Sequence, residues 1–108
     1  MTTLRIAAWL FLIFIAVSSL LPVALPETGV EHPDKILHFG VYALLTLIFL
    51  KAYKEAPALL VSAGILIFGT GLEAIQHVIP YRDGSIFDGV ANALGILIPT
   101  GLRILRER

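Results

Sequence analysis

Residues 6–26 form a run of side chains without a single charge. A helix rises about 1.5 Å per residue, so this run is long enough to cross a hydrocarbon layer of about 30 Å. Three more apolar runs follow after short polar breaks, at about residues 36–53, 57–79 and 85–102. In hydrocarbon, open strands of this length would leave backbone N–H and C=O groups unpaired. The pattern therefore predicts four transmembrane helices.

The composition favours a lipid environment over water. Of 108 residues, 57% are hydrophobic and 15% are charged, whereas soluble domains have about 45–50% and about 25%. A chain this short has too little interior to bury so much apolar surface. The formal net charge is zero, so nothing in the charge favours a nucleic-acid partner. Cysteine is absent, which excludes disulfides, thiolate metal ligands and cysteine nucleophiles.

We expect residues 1–108 to form one all-α domain, a four-transmembrane-helix bundle with helices at about 6–26, 36–53, 57–79 and 85–102. Short connections favour antiparallel neighbours. The first run is longer than the apolar region of a typical signal peptide, so we expect it to be retained. Small residues predict close helix contacts at Gly64, Gly69, Gly71, Gly89, Ala93 and Gly95.

The basic residues predict the orientation, because cytoplasmic loops are enriched in lysine and arginine. If both termini are cytoplasmic, six basic residues lie on the cytoplasmic side, namely Arg5, Lys51, Lys54, Arg103, Arg106 and Arg108. Only Lys35 and Arg82 then lie on the outer side. Both termini are therefore expected to be cytoplasmic.

Polar residues form one stripe on each of the last three predicted helices, within roughly 10 Å of the outer surface. The stripes consist of Lys35, His38 and Tyr42 on the second helix, Glu73, Gln76 and His77 on the third, and Ser85, Asp88 and Asn92 on the fourth. The inner half of the predicted bundle carries no comparable set. This distribution predicts a polar pocket at the outer face.

Glu73 lies well inside its predicted helix, where a carboxylate is unfavourable unless it is paired or protonated. Asp88 is in a similar position. A common pocket with His38 and Arg82 would pair both carboxylates, and ionisable groups inside a membrane generally mark function. A structural role stays open for other residues: Gln76 and Asn92 as interhelical hydrogen-bond partners, and Asp34 as a helix cap.

The residue types in this pocket suit a phosphate ester. Arg82 offers a forked donor for phosphate, and Lys35 adds a positive charge at the same face. Gln76 and Asn92 are able to donate hydrogen bonds to a developing oxyanion. Tyr42 shares the stripe of the second helix and is expected to contact the substrate. Because the pocket opens at head-group depth, the expected ligand is the phosphate end of a lipid or polyprenol.

His38 next to Glu73 or Asp88 is typical of a general base with its orienting carboxylate. Ser85 and Tyr42 are both candidate nucleophiles, and nothing in the sequence favours one over the other. A divalent metal bound by His38, Glu73 and Asp88 is an alternative, and oxygen ligands would favour a hard cation. The residues leave the cofactor undecided.

The order and spacing of these residues form a longer pattern: Asp-Lys-x-x-His, then Glu-x-x-Gln, then Arg, Asp, Asn and Gly. It is made here by Asp34, Lys35, His38, Glu73, Gln76, Arg82, Asp88, Asn92 and Gly95. In this order and spacing the chain resembles VanZ-like membrane proteins over about residues 34–95, and the first apolar run matches in kind only.

The resemblance implies a multi-pass protein of the bacterial plasma membrane. The first-described VanZ-like protein confers low-level resistance to the lipoglycopeptide teicoplanin, and the family is similar in polar layout to enzymes that process phosphate-linked lipid head groups. The resemblance implies functional roles for eight residues of the pattern, namely Asp34, Lys35, His38, Glu73, Gln76, Arg82, Asp88 and Asn92. Hydrolysis or transesterification of such a head group is the leading hypothesis.

Two rival hypotheses stay open. The pocket could bind a lipid or lipoglycopeptide without catalysis, or the chain could be a subunit of a larger envelope complex. Membrane lipids are the expected partners, and the oligomeric state is undecided.

Overall fold

The computed structural model of the chain describes residues 2–20, 33–78 and 86–107. Within these ranges the secondary structure is entirely helical and contains no strand. The four helices are α1 (Thr2–Leu20), α2 (Pro33–Ala52), α3 (Ala58–Val78) and α4 (Ile86–Arg106). The all-α prediction is thereby confirmed. By length and composition, two stretches could cross a membrane, Thr3–Leu20 and Ala58–Val78.

The helices extend beyond the apolar runs at several ends. α2 begins at Pro33 rather than at residue 36, because the fixed φ angle of proline suits a first helical position. α4 continues past residue 102 through Arg103 to Arg106, where positive side chains stabilise the carbonyl end of a helix. Residues 21–26, at the end of the first predicted helix, lie outside the described residues. Charged residues therefore limit the apolar runs, but α2 and α4 extend past those limits.

α1 and α2 run antiparallel, with the start of α1 beside the end of α2. Arg5 Nε donates to the carbonyl oxygen of Ala52 at 3.0 Å, and Trp9 Nε1 donates to the Tyr53 hydroxyl at 2.8 Å. The Trp9 ring also packs edge-on against Phe49, with ring centroids 5.3 Å apart. Trp9 of α1 and Tyr53, which follows α2, thus bond to each other.

α2 and α4 run parallel and share the most extensive helix contact of the bundle. A Cβ atom at Gly95 would lie 2.5 Å from the carbonyl oxygen of Phe39 and 3.1 Å from the amide nitrogen of Ala43. Farther along both helices, Arg103 Nη1 donates to the carbonyl oxygen of Leu50 at 3.2 Å. Residue numbers increase in the same direction on both helices along this contact, so α2 and α4 are parallel. The two contacts define the register between them.

α3 runs in the opposite direction to α4. Its first half contacts the second half of α4, where the hydroxyl oxygens of Ser62 and Thr100 lie 2.5 Å apart in a hydrogen bond. Its last turns contact the last turns of α1, where Gln76 Nε2 donates to the carbonyl oxygen of Ser19 at 2.8 Å. Successive helices therefore alternate in direction, as the short connections predicted.

The bundle has two chemically different ends. The end that contains Arg5, Lys51, Lys54, Arg103 and Arg106 is called the basic end below. The other end, which contains His38, Glu73, Gln76, His77 and Asn92, is called the polar end.

Only some of the predicted glycine contacts are present. Gly95 lies against the backbone of α2, and a Cβ at Gly69 would lie 2.9 Å from the Tyr42 ring. At Gly64, Gly71 and Gly89 a Cβ would meet no atom of the described chain within 4 Å, so the prediction is wrong there. The sequence alone does not show which glycines lie on a helix face that contacts another helix.

The half of the bundle nearer the basic end also buries polar side chains, although these are uncharged hydroxyls and form no set comparable to the predicted stripes. Thr46 is 0% exposed, Ser62 is 7% exposed and Thr100 is 4% exposed. The Thr100 hydroxyl also donates to the carbonyl oxygen of Ile96 at 2.7 Å. A hydroxyl that bonds within its own helix is compatible with an apolar run, and for this reason these residues formed no visible stripe.

We expect Gly95→Ala to destabilise the fold, because the new methyl group must push α2 and α4 apart. Overpacking of this kind costs about 1–3 kcal/mol. Thermal unfolding of the purified protein, followed by circular dichroism, measures the change. Gly64→Ala is the matched control on an open helical face, where alanine is favoured over glycine by up to about 1 kcal/mol. Equal melting temperatures for the two variants would contradict the close α2–α4 contact.

Candidate functional site

His38 and Glu73 lie at the same level of the bundle, on adjacent faces of α2 and α3. The Tyr42 ring packs against Gly69 where these antiparallel helices meet. His38 lies one turn from Tyr42 and Glu73 lies one turn from Gly69, both toward the polar end. His38 is half-buried and Glu73 is 8% exposed. The carboxylate of Glu73 is also close enough to interact electrostatically with the Tyr42 phenol.

Asn92 lies at this level as well. It precedes Gly95 by three residues on α4, and Gly95 lies against Phe39 and Ala43. Since α4 is parallel to α2, this register sets Asn92 beside the turn that contains His38. Three of the predicted site residues, from three helices, are thus brought to one level.

Glu73 contacts a neighbour on its own helix. Glu73 Oε1 lies 3.5 Å from His77 Nε2, an ion pair whenever the imidazole is protonated. The His77 side chain is half-exposed, whereas that of Glu73 is nearly covered. From the sequence, Glu73 was grouped with His38, and His77 had no role beyond its place on the polar stripe of the third helix. The i, i+4 spacing of Glu73 and His77 was the signal for this contact.

Gln76 links α3 to α1 at the polar end. Its amide nitrogen donates to the carbonyl oxygen of Ser19 at 2.8 Å, and the residue is 8% exposed. The bond therefore joins the polar-end turns of α3 and α1. The interhelical role left open for Gln76 is therefore present, and one of its amide hydrogens is already used.

Asn92 presents a buried acceptor with no recorded donor. The residue is 4% exposed, and its Oδ1 atom has no hydrogen-bond partner among the described residues. A buried amide oxygen without a donor costs about 1–3 kcal/mol. Such an atom is an open acceptor for a hydroxyl group or a water that enters the polar end.

The remaining predicted residues are located in part. Asp34 and Lys35 belong to the first turn of α2, and Asp88 belongs to the first turn of α4, so their backbones lie at the polar end. Their side chains, and the whole of Arg82, are outside the described residues. No three His, Asp or Glu side chains in the described ranges are grouped to hold a metal. The metal alternative stays a prediction.

Arg103 is the polar residue that sequence reasoning missed at the basic end. Its Nη2 donates to the carbonyl oxygens of Lys54 at 2.5 Å and Ala56 at 2.8 Å, while its Nη1 donates to Leu50. Its Nε lies 3.8 Å from the Glu107 carboxylate. Carbonyls at the end of a helix lack intrahelical donors. In the sequence analysis, Arg103 served only as evidence for the orientation of the chain in the membrane.

Comparison with known proteins gives one informative similarity. An uncharacterized protein of the fission yeast Schizosaccharomyces pombe is 34% identical over an alignment 103 positions long, and the match covers 92% of this chain. The chain spans 63% of the length of that protein. No family model matches the chain, and no solved structure matches it. The resemblance to VanZ-like proteins and the bacterial location therefore stay predictions.

We expect Asn92→Leu to raise the melting temperature, because an apolar side chain with the same branching removes the buried acceptor. The gain is about 1 kcal/mol if the acceptor is unsatisfied in the resting protein. Thr46→Val is the matched comparison, since the Thr46 hydroxyl is also buried without a recorded partner among the described residues. A marked loss of stability in Asn92→Leu would mean that a bound partner already satisfies the amide.

Proposed function

We propose that this chain is a four-span integral membrane protein of the VanZ-like kind, with both termini cytoplasmic. Large apolar side chains point away from the bundle on helices far apart in sequence. Phe14 is 66% exposed, Leu59 is 69% exposed and Ile67 is 72% exposed. Monomeric soluble proteins rarely expose apolar patches of such extent. The hydrocarbon core of a membrane would cover these side chains.

α4 gives the sharpest support, because its polarity is inverted relative to a helix of a water-soluble protein. Asn92 and Thr100 face the interior, whereas Leu97 and Leu102 are more than half exposed. Soluble amphipathic helices bury their apolar face and expose their polar one. The inverted arrangement suits a helix surrounded by lipid, with polar groups directed toward other helices.

The basic end supports the orientation. Contacts within the bundle bring Arg5, Lys51, Lys54, Arg103 and Arg106 to the same end, where the chain carries its surplus of positive charge. The positive-inside rule assigns this end to the cytoplasm. The polar end would then face the outer side.

We expect reporters fused after residue 30 and after residue 83 to be accessible from the same, outer side of the membrane. Reporters at residue 55 and at the C-terminus should be accessible from the cytoplasm. Paired alkaline phosphatase and green fluorescent protein fusions measure this directly. Opposite locations for positions 30 and 83 would contradict four spans.

At the polar end, the proposed activity is hydrolysis or transesterification of a phosphate-linked lipid or polyprenol head group. One observation carries the proposal: His38, Glu73 and Asn92 come from three helices to a single level. At that level an acidic group and an imidazole lie beside an open amide acceptor, at the depth expected for a phosphate ester.

In this reaction His38 accepts the proton of the attacking water or alcohol, and a carboxylate of Glu73, Asp88 or Asp34 orients or stabilises the imidazolium. The new P–O bond forms as the bond to the leaving oxygen breaks, and that oxygen takes up a proton. Arg82 and Lys35 hold the phosphate, as a cationic fork and a point charge suit it. Tyr42, Gln76 and Asn92 contact the remaining head-group atoms.

A non-catalytic function is the second candidate. Gln76 is bonded to α1, and Glu73 faces His77, so two site residues already serve contacts within the bundle. Under this alternative the polar end binds a lipid or lipoglycopeptide and alters teicoplanin susceptibility without any chemistry. Product formation distinguishes the two functions.

We expect purified protein to release product from radiolabelled polyprenyl phosphates or phospholipids in mixed micelles, as followed by thin-layer chromatography. His38→Ala should lower turnover by about 100-fold or more, the usual contribution of general base catalysis. Glu73→Gln should lower turnover while leaving binding of the labelled lipid measurable.

His77→Gln is the matched control, because it changes an exposed histidine one turn from Glu73. It should keep most of the activity, and circular dichroism should show an intact fold in all variants. Full turnover by His38→Ala would exclude His38 as the base. Tight binding without product in the unaltered protein would favour the non-catalytic function.

A further inference from the structure

A groove of about 190 Å³ lies between α2 and α4 at the basic end, far from the polar-end residues. Its apolar wall is formed by Leu47 and Leu50 of α2 and by Pro99 and Leu102 of α4. Leu47 and Leu102 are substantially exposed, at 41% and 53%. The wall is therefore open to whatever surrounds the helices, and it suits a hydrocarbon chain.

The rim of the same groove is basic. Lys51, Lys54, Arg103 and Arg106 line it together with the apolar wall. Arg103 differs from the other three, because its guanidinium already donates to three backbone carbonyls. These bonds fix the Arg103 guanidinium within the bundle. Lys51, Lys54 and Arg106 are exposed and have no ion-pair partner among the described residues.

The carboxylates at this end are directed to other cations. Glu55 lies 3.6 Å from Arg5, and Glu107 lies 3.8 Å from Arg103. Neither lines the groove. Lys51, Lys54 and Arg106 therefore surround an apolar groove that no described carboxylate lines. Their positive charge at the mouth of the groove is not neutralised by the described residues.

We propose that this groove binds one anionic glycerophospholipid, with an acyl chain along the apolar wall and the phosphate at Lys51, Lys54 and Arg106. Basic pockets between transmembrane helices on the cytoplasmic side bind anionic head groups, and long cationic side chains reach the interface while their stems cover apolar surface. The inference rests on the proposed membrane insertion and orientation, but not on the chemistry of the polar end. A soluble phosphate or an acidic peptide would match the rim and leave the apolar wall without a partner.

The test is native mass spectrometry of the full chain with dioleoylphosphatidylglycerol or dioleoylphosphatidylcholine. One phosphatidylglycerol should be retained, with an affinity about tenfold or more above that for phosphatidylcholine. Lys51→Gln and Arg106→Gln should each weaken phosphatidylglycerol binding about fivefold, since each basic group near the surface contributes about that factor.

Thr3→Glu is the matched control. It lowers the net charge by the same single unit at the same end of the bundle, but on α1 and outside the groove. It should leave phosphatidylglycerol affinity within about twofold of the unaltered protein, because a specific site depends on the position of a charge and not only on the total.

Three results would overturn the inference: equal affinity for the two lipids, equal effects of Lys51→Gln and Thr3→Glu, or displacement of the lipid by millimolar glycerol phosphate. Alkaline carbonate extraction separates this failure from that of the proposed function. A chain that carbonate removes from membranes is not an integral membrane protein, and both proposals then fail. A chain that stays in the membrane but does not distinguish the lipids disproves the groove assignment alone.

Discussion

The contact between Arg103 and the end of α2 is the interaction on which the rest of the bundle depends. A helix end leaves carbonyl oxygens without donors, and here one guanidinium donates to the carbonyls of Leu50, Lys54 and Ala56. Charge-assisted hydrogen bonds of this kind are roughly twice as strong as neutral ones. Because the donor belongs to α4, the contact fixes where α4 lies along α2. It also holds the turn into α3, so that three helices are positioned from a single side chain.

That register determines the geometry of the opposite end. Once Arg103 is fixed against Leu50, the parallel course of α4 brings Gly95 onto the backbone of Phe39, and the absence of a side chain allows the close approach. Asn92 then lies at the level of His38. The antiparallel course of α3, held by the contact of Gly69 with the Tyr42 ring, sets Glu73 at the same level. Contacts at the basic end thus decide which groups meet at the polar end.

The existence and direction of the helices could be predicted because uncharged runs and short connections are local features. The contacts between helices could not. Apolar periodicity does not distinguish Gly95, which meets a backbone, from Gly64, which meets no described atom, since both lie in apolar helices. Ser62 and Thr100 were invisible because a hydroxyl inside an apolar run gives no periodic signal. The positions of His38 and Glu73 along their own helices follow from i, i+4 spacing, which helix geometry fixes, whereas the contact of Glu73 with His77 was overlooked.

A buried acceptor without a donor is not by itself a sign of function, and Thr46 demonstrates this. Its hydroxyl oxygen, like Asn92 Oδ1, has no hydrogen-bond partner in the described ranges, yet it is flanked by Leu45 and Leu47 in the apolar middle of α2. Asn92 differs in its neighbours, because its level also contains an imidazole and a buried carboxylate. Interhelical amide bonds in membranes average only about 0.6 kcal/mol, less than the penalty of about 1–3 kcal/mol for an unsatisfied buried oxygen. A bundle that used Asn92 only for cohesion would be better served by leucine. Under the proposed function, the substrate or the attacking water would donate to this oxygen beside His38 and Glu73, and a leucine at this position would offer it no acceptor.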